Sequence, residues 1–335
     1  MSDSLYGIRA TRASPPGFAR DDDERRRVYG AALAQFDELI AASAAVGPAS
    51  RPLPLFYALS QAGRAIAAAH AKTAWSLRLH GLSSQELSVA TLDIEVSRMA
   101  ATGKDESSVD SVTGVADATG SEVFAKAATI GALWSSLPEV FDLLPASFSR
   151  ELIPMRLVLE PDPEGLRGRI DQAHLYTVAV DFDGTPDELD KDLSDNYPTS
   201  IGMNAYRPFQ GQPVMRVLTH FGDGLVVRWN REAAHGAGLD RDVAAVEQDG
   251  WCWLRPSVSG VALSSLLTWW TLLFGLSMLA RYEPAGWMQA LDYESSELAA
   301  PLAKLLDIGL VRVPELTLGA LIAAPEPPAT PPSDR

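Results

Sequence analysis

Apolar positions recur at helical spacing from the start of the globular sequence. Val28, Ala32, Phe36, Leu39, Ile40 and Ala44 stand on one stripe, closed by Gly47-Pro48. Asp21-Asp22-Asp23-Glu24 precede this stripe, where the positive end of a helix dipole favours acidic side chains. A second helix is predicted from about Pro54, because a first-turn N–H has no intrahelical partner to lose. Leu55, Leu59, Ala62, Ile66 and Ala69 form its inner face, and its alanines permit close approach of another helix. After His80-Gly81 the period changes: Leu92, Ile94 and Val96 alternate with Asp93, Glu95 and Ser97, which predicts a strand. Residues 102–111 read as a polar loop, Val112–Ala118 as a second strand, and 122–144 as a helix ending near Pro145.

The middle third has strand period. Ile153, Met155, Leu157 and Leu159 alternate, and Leu175–Phe182 is a strongly apolar run. Val214–Phe221 and Leu225–Trp229 flank Asp223-Gly224, a hairpin signal, and Trp251–Leu254 is short and aromatic. No helices alternate with these strands, so an antiparallel sheet is expected.

The stretch from Val261 to Ala280 then runs for twenty residues without a charge. As a helix it would reach about 30 Å, enough to cross a bilayer. Ser264, Ser265, Thr268, Thr271 and Ser277 punctuate it, no second such stretch occurs, and its flanks carry no one-sided Lys/Arg cluster. It is therefore read as a helix buried in protein. Trp269 and Trp270 cannot face the same way, so packing on more than one side is expected. Pro284 should end the helix, with Arg281 complementing the dipole at its C-terminus, paired with Glu283 or the last carbonyls, and Trp287 folding back to seal the core. Beyond it Leu298, Leu302, Leu305 and Leu306 form another apolar face, and Pro314 is expected to start a last helix.

The fold expected is α+β: a helical bundle from the N- and C-terminal segments with an inserted, mainly antiparallel β region. Its divisions are a flexible arm over 1–20, an N-terminal helical part with a β-hairpin over 21–150, and the β region over 151–258. C-terminal helices over 259–324 pack back on the N-terminal part, and 325–335 forms a Pro-rich disordered tail.

Composition narrows the function classes. A net charge of −15 disfavours general binding to nucleic acid or anionic membranes. The single cysteine, Cys252, excludes an intrachain disulfide and a Cys-cluster zinc site, and between two tryptophans it reads as a small buried residue. The first residues lack the apolar core of a secretory signal, so the cytoplasm is the expected compartment. His174, His220 and His235 lack metal-ligand spacing and no nucleotide-cofactor motif occurs, so neither a metal nor a cofactor is expected.

Arg281-Tyr-Glu-Pro-x-x-Trp287, following Leu276-Ser-Met-Leu-Ala280, resembles the C-terminal signature of the YaaC-like bacterial family. Arg51-Pro-Leu-Pro-Leu-Phe-Tyr-Ala-Leu-Ser60 resembles its Pro/Tyr-rich helix start, and His80-Gly81-Leu82 its His-Gly-Leu element. The resemblance spans about Arg51 to Leu321 and implies an intracellular bacterial protein with no settled activity.

Three constellations carry candidate chemistry. Arg281, Tyr282 and Glu283 are candidate ligand-binding residues. Arg64 and His70, with the spacing Arg-x5-His, resemble the signature of HEPN ribonucleases, in which the histidine works as general acid/base and the arginine holds the phosphate across a dimer. His80, near a helix end beside Arg78, is a third catalytic candidate. Asp181-Phe-Asp183-Gly-Thr185 resembles the first motif of HAD phosphatases, although the later cationic residue of that family has no counterpart in a matching setting. The leading expectation is a YaaC-like binding or interaction component acting through a groove between its helical and β parts. A HEPN-like ribonuclease and a HAD-like phosphatase are the alternatives, with a protein partner and a homodimer left open.

Overall fold

The computed structural model describes residues 3–99, 108–148, 152–158, 174–180, 182–197, 203–205, 216–219, 222–230 and 251–323. Asp181, His220, His235 and the tail 325–335 lie outside the described residues, as do the side chains of His174 and Cys252. The chain divides into two compact units, Met1–Ile130 with Ser265–Arg335, and Gly131–Ser264. The fold is α+β, helical at both ends with antiparallel strands between.

The first unit is built on α1 (Asp3–Ala13), α2 (Asp23–Ala45), α3 (Pro52–His70), α4 (Ser111–Thr119), α7 (Ser265–Tyr282), α8 (Pro284–Ala290) and α9 (Ala299–Ile322). Asp22 caps α2 by accepting from the N–H groups of Glu24 and Arg25, satisfying donors that a helix start leaves orphaned. α7 is the centre. Every residue from Ser265 to Ser277 is buried, and Trp269 and Trp270 are both 0 % exposed. It packs against α3, α8 and α9 and against strands β2 (Leu82–Gln85) and β3 (Glu95–Arg98). A helix buried all round needs apolar residues all round, which is why the sequence resembles a membrane span. Its hydroxyls turn inward on their own helix: Thr271 donates to the Leu267 carbonyl and Ser277 to that of Phe274, each at 2.8 Å. Among the described residues no helix is long and apolar enough to cross a membrane.

Two short sheets complete this unit. β1 (Ser76–Leu77) pairs in parallel with β4 (Ser108–Val109), while β2, β3 and β5 (Ala128–Thr129) form an antiparallel sheet.

Four expectations are corrected here. Within the arm expected over 1–20, Asp3–Ala13 is α1, packed on α9 and α2 with Ile8 buried, and Gly17–Arg20 is a short 3-10 turn. Partners distant in sequence hold it, and a local reading sees only its polarity. Val112–Ala118 is helical, because Asp110 caps Thr113 and Gly120 takes the left-handed conformation that ends α4. The helix expected over 122–144 is only α5 (Ile130–Ser135) and a 3-10 turn at Phe141–Leu143. Pro314 does not start a helix but lies buried inside α9. The lost backbone bond and ring clash cost about 3 kcal/mol, which burial of Leu305, Leu306, Val313 and Leu321 along the same helix offsets.

The second unit holds a mixed-length antiparallel sheet in the order β11 (Trp251–Leu254), β6 (Met155–Val158), β7 (His174–Val180), β10 (Gly222–Asn230), β8 (Met203–Ala205). The strand β9 (Arg216–Thr219) pairs with the start of β10. Met155, Leu157, Leu225 and Val227 alternate onto the face that meets Leu189 and Leu193 of α6 (Pro186–Asn196). The hairpin signal is displaced: Asp223 and Gly224 lie within β10, opposite Leu218 and Val217, so they are not the turn.

Candidate functional site

The three segments that carry the family resemblance, far apart in sequence, meet in the first unit. They supply two layers of residues. The inner layer is structural. Arg51, 9 % exposed, donates to the carbonyls of Ser43 and Val46 at the α2–α3 turn and pairs with Asp307 of α9. Trp287, 1 % exposed, donates its Nε1–H to the Ala49 carbonyl of the same turn at 2.8 Å. Pro284 ends α7 and opens α8, which sets the angle that brings Trp287 back.

The outer layer is exposed and polar. Arg281, in the last turn of α7, donates to the Tyr57 hydroxyl of α3 at 3.4 Å and to the Tyr282 hydroxyl at 3.1 Å, with its guanidinium 4.9 Å from the centre of the Tyr282 ring. Of the two expected partners, Glu283 and the last carbonyls of the helix, neither is used: among the described residues Arg281 bonds the two phenols. Beneath this group runs an aromatic row. The His80 ring lies 5.0 Å from Phe274, Phe274 lies 5.4 Å from Phe56, and Phe56 lies 5.6 Å from Tyr57.

A constrained loop carries His80. Leu79 is left-handed with φ 59°, a strained conformation for a branched side chain, and Gly81 has φ 78°. A Cβ at Gly81 would collide with the Asp110 carboxylate, so only glycine fits there. Ser111 holds the loop by donating both its N–H and its hydroxyl to the Leu79 carbonyl, at 3.1 and 2.7 Å. Asp110 is fixed in turn by Thr113 and stands 3.8 Å from Arg98.

His80 is half-buried, and its Nδ1 accepts from the Leu82 N–H at 3.2 Å. The neutral ring therefore carries its proton on Nε2. Burial lowers its pKa below the usual histidine value, nearby Arg281 lowers it further, and Asp110 raises it. The ring is thus neutral at pH 7 and presents an N–H donor. Tyr57, Phe274, Arg98 and Asp110 escaped the sequence reading. The Asp110-x-x-Thr113 capping pattern was the one local signal available.

Arg64 and His70 are not brought together. Six helical positions put them about 120° apart around α3. Half-buried Arg64 donates to the Leu77 carbonyl. His70, 3 % exposed, bonds the Leu321 carbonyl of α9 through Nε2 at 2.9 Å. Asp183 is exposed, and β7, which precedes it, is antiparallel to both neighbours where a phosphatase of the HAD type needs a central parallel strand. Thr185 instead caps α6 in a reciprocal box with Glu188. Among the described residues, no three His, Cys, Asp or Glu side chains gather as a metal site. Two surface concavities, one along Lys304–Glu315 of α9 and one over Met288–Ser295, include none of the candidate residues.

Comparison with known proteins identifies the family. The model of the YaaC-like Protein family matches residues 17–321, and the chain belongs to that family. No curated protein and no solved structure matches it significantly.

Proposed function

We propose that this YaaC-like protein is an intracellular binding component, and that the cluster of Tyr57, His80, Arg281 and Tyr282 is its recognition face. One observation carries the reading. Three distant segments contribute Tyr57, His80 and the Arg281–Tyr282 pair to one polar patch over a shared aromatic row. Packing explains Arg51 and Trp287. It does not explain an exposed guanidinium held between two phenols beside a histidine on a strained loop. Strain of this kind is maintained where the surrounding structure over-determines it, and it concentrates at functional sites.

The test is affinity capture from the cytoplasm of the native host, comparing wild type with a Tyr57→Ala, Arg281→Ala double variant of matched thermal stability. Bound species depleted at least about tenfold by the double change are expected, a loss on the order of 1.4 kcal/mol. An identical set of bound species would remove the face from consideration.

A further inference from the structure

The donor pattern of this cluster restricts what it can hold. Arg281 brings a planar fork of N–H donors, and among the described residues its only partners are the Tyr57 and Tyr282 hydroxyls. Either hydroxyl can redirect its proton to an anion. His80 adds Nε2–H, which has no partner among the described residues and is not sealed from solvent. All these groups donate and one of them is a full cation, on a chain whose net charge is −15.

A planar carboxylate is satisfied by the guanidinium fork alone. The extra phenolic and imidazole donors suit a group with three terminal oxygens. A polyanion fits poorly, because one cation matches one phosphate and the rest of the chain repels a charged backbone. Tyr57 and Tyr282, 42 % and 55 % exposed, offer flat ring surface for whatever the phosphate is attached to.

We propose that the Tyr57–His80–Arg281–Tyr282 cluster binds the terminal phosphate of a phosphomonoester, with Arg281 as the counter-charge and His80 Nε2–H as a further donor. This rests on the cluster being the recognition face. The charged groups around His80 are Arg281 from α7 and Asp110 from the cap of α4, with Arg98 of β3 behind Asp110. A bound anion offsets Arg281 and favours the imidazolium, so the His80 contribution to binding grows as pH falls through the ordinary histidine value of about 6.5 and below, against the loss of the phosphate dianion at about pH 6.

The experiment titrates the full chain with inorganic phosphate, O-phosphotyrosine and adenosine monophosphate, followed by phosphorus NMR and calorimetry. Saturable binding is expected, tighter for an ester than for free phosphate. Preference for phosphotyrosine would assign the phosphate to a modified protein, and preference for the nucleotide to a metabolite. Arg281→Lys keeps a charge at the helix end but loses the fork, and should weaken binding about tenfold or more with an unchanged denaturation midpoint. His80→Gln should flatten the pH dependence relative to wild type, whatever the ligand's own titration contributes. Absence of saturable binding, equal competition by chloride, or tighter binding of an oligonucleotide would each overturn the proposal. If host capture depends on Tyr57 and Arg281 yet phosphate esters do not compete, the phosphate assignment fails and the recognition face stands. If capture ignores both residues, the face itself fails.

Discussion

Trp287 is sealed into the first unit while Arg281, at the end of the preceding helix, stays in solvent, and their substitutions should separate accordingly. Trp287→Ala removes a large buried side chain and its bond to Ala49, and should cost about 3–5 kcal/mol. Arg281→Ala should cost less than about 1 kcal/mol, as for exposed polar pairs. Urea midpoints of the two variants check this, and an Arg281→Ala loss equal to that of Trp287→Ala would make the arginine a structural residue. His70 gives a pH prediction. Burial holds its pKa below the usual histidine value, and the Leu321 hydrogen bond acts in the opposite sense. The unfolded chain takes up that proton near pH 6.5 while the folded chain resists. Stability is therefore complete above about pH 6.5 and falls as pH drops from there towards the folded pKa. His70→Gln keeps a donor for the Leu321 carbonyl and removes the titration. Its melting temperature should decline less steeply than wild type between about pH 7 and 5. Parallel slopes would assign the acid sensitivity to other groups.

Contacts between elements depend on small residues at specific crossings. A Cβ at Gly63 of α3 would collide with Trp270 of α7 and Val115 of α4. Gly63→Ala should therefore destabilise the chain by about 1–3 kcal/mol, although alanine is the better helix former by about 1 kcal/mol. A variant as stable as wild type would mean that Trp270 moves aside freely. The cap of α4 does two jobs: Asp110 starts the helix, and the adjacent Ser111 holds the His80 loop through Leu79. Asp110→Ala should cost about 1–2 kcal/mol and also shift the NMR resonances of His80. A stability loss with His80 unchanged would uncouple the cap from the loop.

At the scale of the whole molecule, α7 organises the first unit. Each of its faces meets another element, so opening its amides requires disrupting that unit as a whole. They should exchange with deuterium more slowly than those of α1, whose one buried residue is Ile8. Hydrogen exchange read by mass spectrometry checks this. Rapid exchange across Ser265–Leu279 would mean that the helix is not the core it resembles.

Period and composition determined the broad fold: helices at both ends, strands between, and a uniformly apolar helix read as core from its hydroxyls and paired tryptophans. These features are local, because burial on one face or on all faces imprints directly on residue spacing. The family was legible for the same reason, in short runs such as Arg281-Tyr-Glu-Pro-x-x-Trp287. Tertiary structure decided what spacing cannot encode. The polar N-terminal residues became a packed helix because α9 and α2 lie beside them. Pro314 stayed inside α9 because long-range burial outweighed its local cost. The pairing of Arg281 with Tyr57 spans most of the chain, and that of His80 with Phe274 nearly as much. Only tertiary packing brings those residues together, so the cluster proposed as a recognition face stood in the sequence as separate fragments.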